Sequence, residues 1–270
     1  GEDPHFFAKG LLALAELGDL DRLVAATKGR RNLRKLHRQA LARAAESAPQ
    51  EQVLALLMGL FERGGSWKNL AHNIVEVLDQ RFHFSAPKAA LGRLQPIFEK
   101  LIGKGRYRTA GRLAALFSLP LDSAATEALT RGLLQRGSTF DLLIALRVLD
   151  RVGASDRSLL EEVIRGLLAS YTHATIRAAL DAIARHELET TFPPSYTADL
   201  LCEAATPASL EHALDLVERH GLEQQHSPVE LAQQLLAMGN ELAIQAAIRG
   251  IERHALWAVL PPAQVVRYLV

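Results

Sequence analysis

Apolar side chains recur in a fixed order through the second half of the chain. Leu142, Leu146 and Leu149 are followed by Ile176, Leu180 and Ile183, then by Leu210, Leu214 and Val217, then by Ile244, Ile248 and Ile251. Within each set the spacing is i, i+4, i+7, which gathers the three side chains on one face of a helix. Between sets the step is 34 residues. A second series runs ahead of the first: Leu129, Leu133 and Leu134, then Val163, Leu167 and Leu168, then Thr197, Leu201 and Cys202, then Leu231, Leu235 and Leu236. The pattern predicts a two-helix repeat, helix A followed by helix B. In this series Cys202 occupies a core position and reads as a small buried hydrophobe. Every B helix carries alanine at one place, Ala145, Ala179, Ala213 and Ala247. A small side chain there lets a neighbouring helix axis approach toward the low end of the usual spacing of about 8–10 Å.

Turn residues separate the two helices of each repeat, in "QRGS" (135–138), "ASYTH" (169–173), "AATPAS" (204–209) and "MGN" (238–240). Sustained alternation with β-branched residues is missing, so essentially no sheet is expected. Upstream the pattern loosens. Ile97, Leu101 and Ile102 followed by Ala110, Ala114 and Phe117 fit the two helices at a shift of 32, and Val53, Leu57 and Leu60 fit helix B. Residues 67–93 are the least regular, with "SAPKAALGRL" (85–94) read as a short helix B. Trp67 and Phe82 read as core. One helical pair cannot bury its own apolar face, whereas stacked pairs share a continuous core. The expected architecture is a single all-α solenoid over 1–270, with irregular basic repeats in 1–93, regular repeats in 94–255 and an incomplete repeat in 256–270.

Composition changes little in this picture. The chain is 49% hydrophobic and 23% charged, as in ordinary globular proteins. No apolar run approaches the roughly 18 residues of a membrane helix, so no membrane partner is expected. The one cysteine excludes an internal disulfide. Charge is more informative. Lys and Arg exceed Asp and Glu by 8 over residues 1–120, and fall short of them by 7 over 121–270. A polyanion would therefore meet the first part of the chain.

Two basic runs lie there. Arg31, Arg34, Lys35 and Arg38 share i, i+3, i+4, i+7 helical spacing, and Lys104, Arg106, Arg108 and Arg112 surround Tyr107. These cations read either as solvated helix faces or as a strip that holds phosphates, with Tyr107 available to stack on a base. A second set of cations is periodic: Arg151, Arg185, Arg219 and Arg253 recur every 34 residues, three of them followed by His186, His220 and His254. At the C-terminal end of helix B a cation is favoured by the helix dipole. The same ladder can alternatively face phosphates or an acidic partner.

Signatures of catalysis are not found. "GKGR" (103–106) lacks the G-x4-G-K-[ST] phosphate loop, "HELET" (186–190) lacks the second histidine of HExxH, and neither G-x-S-x-G nor Cys-x-x-Cys occurs. One histidine per repeat does not bring four metal ligands to one point. The expectation is a non-enzyme without cofactor, metal or small-molecule substrate.

The stretch "ATEALTRGLLQRGSTFDLLIALRVLDRVGASD" (125–156) resembles a pentatricopeptide repeat in Leu129, Gly132, Leu133, Gly137, Gly153 and Asp156, and "SYTADLLCEAATPASLEHALDLVERHG" (195–221) is similar to it. The tetratricopeptide repeat is the second choice, and its W-x2-L-G-x2-Y signature is missing. The pentatricopeptide resemblance implies a right-handed superhelix and a mitochondrial protein that binds single-stranded RNA or sits in an RNA-processing or ribosomal complex. It implies base-reading pairs at Glu127 with Asp156, Glu161 with Thr190, and Ser195 with Gln224, where the two glutamates would repel phosphate. Two functions are thus expected: an organellar RNA-binding factor, or a protein-interaction scaffold within an RNA-protein assembly that makes no RNA contact of its own.

Overall fold

The structure is a computed structural model that describes residues 88–152 and 157–268, together with Val53, Leu57, Leu60, Phe61, Ala71, His72 and Val75. Among these residues there are eleven α-helices, one 3-10 turn at Leu256–Ala258 and no strand. The helices are α1 (Lys88–Ile102), α2 (Tyr107–Phe117), α3 (Ser123–Arg136), α4 (Thr139–Val152), α5 (Arg157–Leu168), α6 (His173–Arg185), α7 (Pro194–Ala204), α8 (Pro207–His220), α9 (Pro228–Ala237), α10 (Glu241–Arg253) and α11 (Pro262–Val266). Odd-numbered helices up to α9 are the A helices and even-numbered ones the B helices. The short helix expected over 85–94 is instead the first part of α1. Leu94, Phe98 and Leu101 carry one buried i, i+4, i+7 face through that segment, and the helix continues past the internal Pro96.

The 34-residue step is written most strictly in the caps of the B helices. Ser138, Thr172, Thr206 and Asn240 stand just before α4, α6, α8 and α10. Each side chain accepts a hydrogen bond from the backbone N–H three residues on, at 3.2, 3.3, 3.1 and 2.9 Å. Thr175 and Ser209 answer Thr172 and Thr206 in reciprocal capping boxes. Such a cap contributes about 1 kcal/mol and sets where the helix starts.

Packing follows from the face defined by these starts. The chain divides into two compact units between Leu160 and Glu161, within α5. In the first, α2 packs on α1, α3 and α4, and α3 on α4. In the second, α6, α8 and α10 form a row of B helices, with α7 and α9 lying against α8 and α9 also against α10. Ala145, Ala179, Ala213 and Ala247 are fully buried, as their small size requires. Two glycines bring B helices closer still. A Cβ on Gly111 of α2 would lie 2.6 Å from Ile144 of α4, and one on Gly250 of α10 would lie 2.7 Å from Leu214 of α8. Val53, Leu57 and Leu60 are helical and buried, as their spacing predicts.

Candidate nucleic-acid interface

The polar chemistry of the first unit collects where helix A turns into helix B. Leu101 and Ile102 end α1, and the turn through Gly105, at φ 65°, leads into α2. Lys104 and Arg106 are exposed on this turn. Arg108, in the first turn of α2, reaches across to the next such turn. Its Nε and Nη2 donate to the two carboxylate oxygens of Asp141, both at 2.8 Å, and Nη2 also donates to Ser138 at 3.1 Å. Ser138 donates to Asp141 at 2.6 Å while capping α4. Arg136, in the last turn of α3, brings its Nε to 3.4 Å from the same carboxylate.

Asp141 is thus buried, at 1% side-chain exposure, beneath two guanidinium groups that are 39% and 48% exposed. Burial pushes its carboxyl up. The hydrogen bonds from Arg108 and Ser138 and the charges of Arg108 and Arg136 together outweigh that and hold it below its ordinary value. One carboxylate is thus shared between two cations whose outer sides reach solvent. Phe140, the residue before Asp141, is 62% exposed. The edge therefore combines Lys104, Arg106, Arg108 and Arg136 with a solvent-facing aromatic ring.

This set differs from the one expected from sequence. Arg112 is 8% exposed and lies inside the packing of α2, so it is not available to a ligand. Tyr107 is half-buried with its ring against α3, where a Cβ on Gly132 would lie 2.5 Å from it. That contact leaves it badly placed to stack on a base. Arg31, Arg34, Lys35 and Arg38 lie outside the described residues. Arg136 and Phe140 were not read from the sequence, because neither belongs to a basic run. Only the fold carries Arg108 across to Ser138 and so brings the two turns together.

Two of the four periodic arginines find acceptors on the preceding B helix. Arg253 of α10 is ion-paired with Asp215 of α8 and lies 3.7 Å from Glu218, and Arg151 of α4 donates to the carbonyl of Ala115 in α2. Arg185 and Arg219 are exposed at the same register. Beside the ladder, Arg249 of α10 makes a two-pronged contact with Glu211 of α8 at 2.7 and 2.9 Å. His173 of α6 stands 3.5 Å from Glu211, and its ring lies 5.4 Å from that of His212. Burial raises the Glu211 carboxyl, but the hydrogen bond and charge of Arg249, aided by the two histidines, hold it below its usual value. These side chains stitch one B helix to the next.

Of the positions implied as base readers, the two glutamates are paired in the same way, and Asp156 lies outside the described residues. Glu127 is paired with Arg131 at 2.8 Å. Glu161 is 3.5 Å from Arg165 and accepts from Thr191 at 3.1 Å. Cys202 is half-buried, 3.7 Å from Nδ1 of His226, and burial together with the charge of Asp199 pushes its thiol up to about 11. Among the described residues no group of three or more metal-ligating side chains converges, and no helix is long and apolar enough to cross a membrane. Compared with known proteins, the chain matches no family model, no curated protein and no solved structure.

Proposed function

We propose that this protein is a non-enzymatic helical-repeat factor of organellar, mitochondrial RNA metabolism. In this reading its repeats are pentatricopeptide-like and wind as a right-handed superhelix. Single-stranded RNA is held along the edge of the first unit that carries Lys104, Arg106, Arg108 and Arg136. The observation that carries the proposal is the composition of that edge: four cations from two helices and a turn, with one buried carboxylate and an exposed aromatic from a third helix. Cations for phosphates together with an aromatic for bases are what a sequence-tolerant single-strand site requires. The edge draws on residues 104–140, where Lys and Arg outnumber Asp and Glu by six to two. Residues 161–268 carry 7 more acidic than basic side chains and would repel the same ligand.

Fluorescence anisotropy of the purified chain with a labelled single-stranded RNA, across a salt series, tests this reading. Each phosphate neutralised releases counterions and contributes a slope of about −0.7 in log K against log salt, so four cations predict a slope between about −2 and −3. No binding at low salt refutes direct contact. That outcome would favour the second reading, a scaffold inside a ribosomal or RNA-processing assembly, for which the acidic surplus of 161–268 offers a surface to basic proteins.

A further inference from the structure

We infer that Phe140 is a base-stacking platform, and that the edge beside it takes an unpaired nucleotide, with the base on the ring and its phosphate on Arg136. The inference rests on the RNA reading above and specifies the ligand more narrowly.

Three observations carry it. Phe140 is 62% exposed at the second position of α4, and the fold gains nothing from placing a phenyl ring in water there. The other B helices of the 34-residue register hold Ala174, Ala208 and Leu242 at this position, so the ring is peculiar to the one repeat whose turn is basic. The residue next to it, Asp141, fixes two arginines. Arg108 spends both prongs of its guanidinium on Asp141, whereas Arg136 meets it through Nε alone, at 3.4 Å. Asp141 therefore orients Arg136 without occupying its outer nitrogens, and a guanidinium oriented in this way can grip a phosphate with two parallel hydrogen bonds. The corresponding turns of the second unit, 169–173, 203–208 and 237–242, contain no lysine or arginine.

A duplex turns its base faces inward, and a chain without bases has none. Stacking on Phe140 therefore predicts a preference that charge alone does not produce. The test is anisotropy with three probes of about 12 nucleotides: a mixed-sequence single-stranded RNA, a ribose-phosphate chain of equal length lacking bases, and an RNA duplex. The unaltered protein is expected to bind the base-bearing strand about tenfold more tightly than the abasic chain. Phe140→Ala should abolish that discrimination while leaving the salt slope unchanged, and Phe140→Trp should keep it. Arg136→Gln should weaken both single strands alike and reduce the slope by about 0.7. Because Phe140 is exposed, Phe140→Ala should melt with the unaltered protein. If Phe140→Ala binds all three probes as the unaltered protein does, the stacking role is overturned while salt-dependent RNA binding stands. If the unaltered protein binds none of them, both readings fall.

Discussion

Asp141→Asn probes the junction on which both fold and candidate site depend. The carboxylate is 1% exposed and accepts two short hydrogen bonds from Arg108 and one from Ser138, with Arg136 close by. Breaking a fully buried pair costs about 3–5 kcal/mol, chiefly because a charge is left stranded. Here the stranded groups are arginines that are 39% and 48% exposed and can turn to water, so only part of that cost applies. Charge-assisted hydrogen bonds to a buried acceptor contribute about 1.5–3 kcal/mol, and a carboxylate in the first turn of α4 adds about 0.3–1 kcal/mol through the helix dipole. The variant should lose about 2 kcal/mol, measured by urea unfolding followed by circular dichroism at neutral pH. The carboxyl's value is lowered in the fold. Its contribution is therefore complete above the unfolded value of about 3.9 and is lost as pH falls through the folded value. The difference between Asp141→Asn and the unaltered protein should shrink as pH is lowered through the folded value. Removing the negative charge also makes the edge more positive by one charge, so RNA affinity at low salt should rise while stability falls. A loss below about 0.5 kcal/mol at neutral pH, or one that persists undiminished in acid, would refute the assignment of Asp141 as the buried anchor of this edge.

Three further outcomes follow from the geometry. Gly132→Ala would place a Cβ 2.5 Å from the Tyr107 ring, and the rearrangement should cost about 1–3 kcal/mol in unfolding free energy; an unchanged midpoint would mean that Tyr107 does not pack there. Ala205 ends α7 in the left-handed region at φ 47°, where glycine is free of the Cβ penalty, so Ala205→Gly should raise the stability by up to about 1 kcal/mol in the same assay. The Cys202 thiol, pushed up to about 11, should react with iodoacetamide slowly at neutral pH in the native state, and the rate should climb through that value as pH rises. A rate profile centred on the ordinary thiol value would contradict the burial and the nearby Asp199 charge that raise it.

The surface of the second unit is more balanced in charge on its B helices than its net charge suggests. Arg249 and Arg253 are bound to Glu211, Asp215 and Glu218, which removes both signs from circulation. The surplus acids fall largely on the A helices and the turns before them, at Glu162, Glu187, Glu189, Asp199, Glu203, Glu223 and Glu230, all exposed. The repeated arginine at the end of helix B thus has a role within the stack in two repeats, Arg151 and Arg253, and the histidine that follows it ends the helix in two. His186 and His254 stand at the C-caps of α6 and α10, where their backbone N–H groups bond to Ala182 and Gly250.

The sequence by itself determined the helical class, the register and the phase of the repeats. That information is local. An i, i+4, i+7 face, a cap three residues before its partner N–H and a small residue at every closest approach are each set by side chains a few positions apart, and their recurrence every 34 residues makes them legible. The four caps at Ser138, Thr172, Thr206 and Asn240 were equally open to reading, as hydroxyl or amide side chains at one interval. What only the tertiary structure decided is the fate of the charges. A guanidinium spans some 6–7 Å from its backbone, so whether Arg108 meets solvent or Asp141, 33 residues away, depends on which helices are adjacent. The same holds for Arg112, buried inside a basic run, and for Arg253, drawn to an acid on the preceding B helix. Burial face is a property of one helix and its period. Ion pairing is a property of two helices and the distance between them, and the composition of the candidate site belongs to that second kind.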